Sequence, residues 1–260
     1  MNNLPIGVFD SGIGGLTVLK GLIKELPKES FIYLGDTARV PYGNRDTETI
    51  KKFSVELAKF LSKQKIKALV VACNIMSAVS IPEVKKFSSV PVLGVINPTV
   101  EFVNKNLRGK KIGVIGTRAT INSKAYDRAF SKFGITIETK ACPLFVPLVE
   151  EGLFDSKITK LVAETYLSGF RVDAIILGCT HYPFLSNAIR TALGSNVLLI
   201  DSAYPTAIDL KNLLTKKNLL RKNGRPTYRI YVTDDTKKTE EIANLFFDNK
   251  LPVKLKKVKI

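Results

Sequence analysis

The sequence predicts an α/β protein of two similar domains, each a mainly parallel sheet flanked by helices, with a functional site in the cleft between them. Three observations carry that prediction. Short apolar, β-branched runs alternate with longer amphipathic segments along the whole chain, the pattern of βα units on a parallel sheet. Ile6-Gly7-Val8 recurs as Ile112-Gly113-Val114, and a thiol just past an apolar run, Cys73, recurs as Cys179, both at an offset of 106 residues. The chain has 260 residues, 45% of them hydrophobic, enough for one large core or two smaller ones. A disordered or fibrous chain is excluded by that composition.

In chain order, strands are expected over 6–9, 31–34, 68–72, 92–95, 112–115, 135–139, 174–177 and 197–200, where β-branched and other apolar residues run together. Apolar positions at three- and four-residue intervals predict helices over 16–26, stopped by Pro27, and over 47–61. A late strand over 228–232 and a helix over 239–247 end the chain. If the 106-residue offset marks a duplicated unit, each unit presents one cysteine at the carboxyl end of a strand. Ligands of open α/β sheets bind outside those ends, so the two thiols can face each other across one cleft.

The charge balance is +17, from 40 Lys and Arg against 23 Asp and Glu. It is uneven: the last fifty residues carry 14 basic and 5 acidic side chains, which leaves the rest only mildly basic. Clusters at Lys216-Lys217, Arg221-Lys222 and Lys254 to Lys259 raise nucleic acid as a partner, but no aromatic platform or recognised motif accompanies them, and a solvated face is the expectation. A structural zinc site needs four nitrogen or sulfur ligands at close spacing, and with no CxxC pair or second half-site among Cys73, Cys142, Cys179 and His181 a zinc fold is not expected. No metal is expected. No apolar stretch reaches the roughly 18 residues of a membrane span, and the N-terminus lacks a signal-peptide pattern, so a cytoplasmic protein with reduced thiols is expected.

Polar residues at strand ends carry the chemical information, because a rigid sheet displays them in loops. Asp10-Ser11 precedes Gly12-Ile13-Gly14-Gly15, where a carboxylate acts as acid or base, or as a helix cap, and glycines let backbone N–H groups meet an anion. The spacing is not that of a dinucleotide fingerprint, and no acidic residue is expected to serve at the second strand's end. Cys179 is followed by Thr180 and by His181, whose imidazole can share a proton with the thiol and lower its pKa from about 8.5. Read alone, Cys73 fits a buried inert thiol better than a reactive one, and Cys142 is assigned to structure. Taken together, Cys73 and Cys179 suggest a base on one face of a carbon and an acid on the other, which inverts a stereocentre. Neither a metal nor pyridoxal is required.

The segments GVFDSGIGGLTVLK, YLGDTARVPYGNRD, VVACN, GVIGTRATINSKAY, LFVPLVEEG and LGCTHYPFL cover nearly the whole chain. In this order they resemble the cofactor-independent aspartate/glutamate racemase superfamily and, within it, the glutamate racemases. TDDTKKTEEIANLFFDN resembles the family's terminal strand and helix. The resemblance implies a first domain of residues 1–97 completed by 207–260, and a second of 98–206. It implies Cys73 and Cys179 as the acid/base pair, with Asp10, His181 and Glu150 supporting them. Asp10, Ser11, Tyr42, Gly43, Asn74, Thr117, Thr120, Thr180 and His181 match substrate-binding positions. L- and D-glutamate would be interconverted with no cofactor, supplying peptidoglycan synthesis, in a homodimer that binds neither membrane nor nucleic acid.

One position departs from the family pattern. Where the family reads Cys-Asn-Thr-Ala-Ser-Ala, this chain reads Cys73-Asn74-Ile75-Met76-Ser77-Ala78. A hydroxyl that contacts substrate is replaced by a branched apolar group, a loss of roughly 1.5 to 3 kcal/mol if no other donor serves. Two alternatives therefore stay open: a sister racemase or isomerase for aspartate or another small dicarboxylate, and an impaired family member with a basic binding surface.

Overall fold

The computed structural model describes residues 2–234 and 237–260. Strand and helix alternate through β1 (Ile6–Asp10), α1 (Leu16–Glu25), β2 (Phe31–Gly35), α2 (Thr47–Ser62), β3 (Ala68–Val71), α3 (Asn74–Val79), α4 (Ile81–Phe87), β4 (Val92–Gly94) and α5 (Ile96–Asn106). The alternation repeats in β5 (Ile112–Gly116), α6 (Arg118–Asn122), α7 (Ala125–Ser131), β6 (Ile137–Ala141), α8 (Phe145–Glu150), α9 (Lys157–Leu167), β7 (Ala174–Gly178), α10 (Ser186–Leu193) and β8 (Leu198–Ile200). Then come α11 (Ala203–Lys216), β9 (Tyr228–Val232), α12 (Lys237–Phe246) and β10 (Leu255–Lys257).

Local chemistry accounts for these boundaries. Every residue of β1, β2, β5 and β7 is buried, as expected of strands covered on both faces. α1 turns Leu16, Val18, Leu19 and Leu22 inward and ends before Pro27, which disfavours helix in the residue it follows. α2 begins where the Asp46 side chain accepts from the Thr49 N–H at 2.9 Å, and Ile50, Leu57 and Leu61 share its buried stripe.

All strand pairs are parallel and form two sheets, ordered β10-β9-β2-β1-β3-β4 and β6-β5-β7-β8. The order β2-β1-β3-β4 is repeated as β6-β5-β7-β8, so the 106-residue offset has a topological counterpart: β1 with β5, β3 with β7. In each sheet the chain reverses its direction of travel beside the first strand, and a crevice opens at the carboxyl ends there. Asp10 and Cys73 stand at one crevice, Thr117 and Cys179 at the other.

An apolar cluster runs from Ile6, Val8 and Val70 of the first sheet to Ile115, Ile175 and Leu177 of the second; Phe9, Ile32 and Val71 cover the first sheet's other face, Val114 and Ile176 the second's. Buried Lys67 ties the amino end of β3 to distant segments, with Nζ 2.5 Å from Glu29, 2.8 Å from the Asn2 carbonyl and 2.7 Å from the Leu219 carbonyl.

Three expectations are corrected. The strand over 135–139 lies over Ile137–Ala141, because this edge strand takes its register from β5, with Ile137 opposite Ile112, and Ile135 packs into the core before it. The last helix starts earlier, at Lys237. β10 was not expected: Leu-Lys-Lys has little apolar character, yet it pairs with β9 as an edge strand, where lysines deter pairing with another chain. Asp235 and Thr236 of the TDDTKK segment lie outside the described residues.

Candidate active site

The turn after β1 is built around Asp10. Its Oδ2 accepts from the backbone N–H groups of Gly12 at 3.1 Å and Gly15 at 3.0 Å, while the Tyr33 hydroxyl donates to the Gly12 carbonyl at 2.7 Å. A side chain at Gly14 would overlap Thr180 and His181, so the absent Cβ lets this turn reach the other sheet's site. Thr17 completes the join, its hydroxyl donating to the Thr180 carbonyl at 3.1 Å.

Cys73 and Cys179 leave the carboxyl ends of β3 and β7, and both line one cavity of about 170 Å³. They are 5% and 9% exposed, so each reaches the cavity without facing bulk water. Ser11, Tyr42, Gly43, Asn74, Thr117, Thr120, Glu150, Thr180 and His181 line the same space. Asp10 alone of the expected site residues does not; it is fully buried behind the Gly12 turn.

Each thiol has its own partners. The Ser11 hydroxyl lies 3.3 Å from the Cys73 sulfur, and the Cys179 sulfur lies 3.8 Å from His181 Nδ1. His181 Nε2 faces a Glu150 oxygen at 3.4 Å. Burial, then the charge of Asp10, push the Cys73 thiol up to about 12 against the opposing Ser11 hydrogen bond. Charge on Cys179 adds to that rise, as expected of sulfurs sharing one cavity. Burial also raises Asp10, opposed by the charge of His181 and the Gly15 and Gly12 N–H groups. For His181, burial disfavours the cation, but hydrogen bonds to Cys179 and Glu150 and their negative charges outweigh it and push the imidazole up to about 10. Near neutrality the site therefore holds a protonated Cys73 thiol and an imidazolium beside Cys179.

The polar lining is largely neutral. Asn74 Oδ1 accepts from the Tyr126 hydroxyl at 2.7 Å, while its buried Nδ2 has no hydrogen-bond partner among the described residues and is free for a ligand oxygen. The Thr117 and Thr120 hydroxyls lie 3.0 Å apart, and the Gly43 carbonyl accepts from the Ala119 N–H at 3.2 Å, locking the Tyr42-Gly43 loop to α6. Ile75 lines the cavity, whereas Met76 is turned into the core.

Several contributors lay outside the sequence expectations. Asp36 follows β2 as Asp10 follows β1, so the strand-end rule marks a carboxylate there after all. It accepts from the Tyr42 hydroxyl, from Arg39 Nε at 2.6 Å and from the Thr233 hydroxyl at 2.8 Å, which fixes the Tyr42 phenol and secures its loop. Tyr126 belongs to the quoted GVIGTRATINSKAY segment, but nothing local marks its bond to Asn74, 52 residues away. Cys142 is buried, its carbonyl held by the Tyr182 hydroxyl at 2.8 Å.

Paired strand-end thiols on one small cavity between two parallel sheets define a class of racemases. The model of the Asp/Glu/Hydantoin racemase family matches residues 6–207, and the chain belongs to that family. It is similar to the glutamate racemase of Geobacter metallireducens, 46% identical over 252 residues that cover 95% of this chain and 93% of the relative. Among solved structures, the glutamate racemase of Francisella tularensis in complex with D-glutamate aligns with a TM-score of 0.91 and 41% identity, over 100% of this chain and 98% of that one. A glutamate racemase isoform from Bacillus anthracis aligns with a TM-score of 0.94 and 37% identity, over 100% and 99% of the two chains.

Proposed function

We propose that the protein interconverts L- and D-glutamate without a cofactor, one of Cys73 and Cys179 taking the α-proton and the other delivering a different proton to the opposite face. The observation that carries this is the placing of the two thiols, from equivalent strand ends of two sheets, on one cavity. A thiolate removes the proton from one face of the α-carbon, the negative charge passes to the adjoining carboxylate, and the opposite thiol gives a proton to the other face. The enzyme ends with the two sulfurs' protonation states exchanged, ready for the reverse reaction.

In one direction Cys179 is the base, since the His181 imidazolium offers a positive partner to charge on its sulfur, and Cys73 is the acid. Asp10 and Glu150 act through these neighbours, Asp10 on Cys73 and Glu150 on His181. Ser11, Asn74, Thr117, Thr120 and Thr180, with the Tyr42-Gly43 backbone, hold the substrate's charged groups. Neutral donors suit this work, because they bind carboxylate without overstabilising the ground state. Identity to glutamate racemases over nearly the full chain supports glutamate over aspartate.

The domain division into 1–97 with 207–260, and 98–206, belongs to the same proposal, supported by β9 and β10 joining the first sheet. So do a homodimer, for which exposed Leu144, Leu153, Ile158 and Leu161 around α8 and α9 offer apolar surface, a cytoplasmic location and supply of D-glutamate to peptidoglycan. No helix among the described residues is long and apolar enough to cross a membrane. The basic C-terminal end is in part edge strand β10, with Lys257 paired to Asp234 at 2.6 Å, which favours a role in the fold over nucleic-acid binding.

The test is incubation of the purified protein with L-glutamate in D2O, without added cofactor, following optical rotation and α-deuteration. Both are expected to change. Absence of both with reduced thiols would overturn the proposal, and turnover of aspartate in place of glutamate would assign the sister activity.

A further inference from the structure

The cavity's charges are almost all spoken for. Glu150 faces His181, His181 faces Cys179, and the remaining polar lining is hydroxyl, amide or backbone. Arg118 is the exception. It follows Thr117 at the start of α6, lines the cavity while remaining exposed, and has no hydrogen bond or ion pair to its guanidinium among the described residues. An exposed lining residue stands at the mouth, where an entering molecule passes it before reaching the buried thiols. Glutamate carries two carboxylates and one ammonium, so it enters as an anion.

We propose that Arg118 is the capture residue of this cavity: its unpaired guanidinium draws a dicarboxylate to the mouth and favours it over a neutral amino acid of the same size. The inference rests on the racemase proposal above. A charge at the rim of a site acts on encounter and on salt dependence more than on the chemical step. Its reach is set by screening, with a Debye length of roughly 10 Å at 0.1 M salt. Arg118 therefore affects KM and leaves kcat to the thiols.

The experiment compares wild type with Arg118→Gln, Arg118→Lys and Lys216→Gln across a salt series. Lys216 is exposed at the last turn of α11, which runs back from the carboxyl ends of the strands, so it reports the loss of one charge remote from the cavity. Arg118→Gln is expected to lower kcat/KM about tenfold at low salt, through KM, with kcat within about twofold and a flatter salt dependence. Arg118→Lys should keep most of the effect, and Lys216→Gln should match wild type. Binding of glutarate, a dicarboxylate without the ammonium, should weaken about as much as KM rises. The proposal is overturned if Arg118→Gln matches wild type, if Lys216→Gln loses as much, if Arg118→Lys fails as badly as Gln, or if the loss lies in kcat alone. An inactive wild type would instead sink the racemase reading, and glutarate binding would still decide whether Arg118 captures dicarboxylates.

Discussion

His181 Nδ1 lies 3.8 Å from the Cys179 sulfur while its Nε2 faces Glu150 at 3.4 Å, so the chain's single histidine bridges a thiol and a carboxylate. Burial opposes its charge, but the two partners raise its pKa from 6.5 to about 10. A folded pKa above the unfolded one means stability that is complete below pH 6.5 and lost as pH rises through about 10. The single imidazole should thus titrate near pH 10 by NMR in the folded protein. The stability gap between wild type and His181→Gln should shrink across that window. A folded-state titration near 6.5 would contradict the bridged cation.

Cys73→Ser and Cys179→Ser should each lower racemisation by about 10²- to 10⁴-fold, the range of a lost acid or base. Circular dichroism should show both variants folded. Either variant retaining a tenth of wild-type activity would end the two-thiol mechanism.

Ile75 lines the cavity where the glutamate racemases it resembles carry threonine. Restoring the hydroxyl, Ile75→Thr, should raise kcat/KM about tenfold, the worth of one hydrogen bond to a charged group. Unchanged or lower turnover would show that the site works with an apolar wall there.

Lys67→Met should destabilise the protein by roughly 3 to 5 kcal/mol in urea titrations, because Glu29 is left as an uncompensated buried charge. Changing Glu29→Leu as well should recover much of the loss. A single variant as stable as wild type would show that the pair does not anchor β3.

How much of this was legible in the sequence depended on range. Strands such as β1 and β7 announce themselves because both faces are buried and the run is apolar or small up to the polar residue at or just past its end. Cys73 and Cys179 are conspicuous because each directly follows such an apolar run. β10 leaves no such mark because an edge strand needs little apolar character, and the bounds of Ile137–Ala141 differ from the apolar run because pairing with β5 sets its register. Asp36 was open to the same rule that found Asp10, but its partners Tyr42, Arg39 and Thr233 come from loops and a strand that meet only in the fold.

The sequence by itself determined the alternation of strand and helix, the repeat at 106 residues and the residue types at the strand ends, since each is written in a few neighbouring positions. Tertiary structure decided the rest: that β10 pairs with β9 at the edge of the first sheet, that His181 is charged while Cys73 keeps its proton, and that among the described residues Arg118 alone keeps an unpaired charge at the cavity. Those outcomes depend on desolvation and on charges brought together from distant parts of the chain, and neither leaves a local pattern to read.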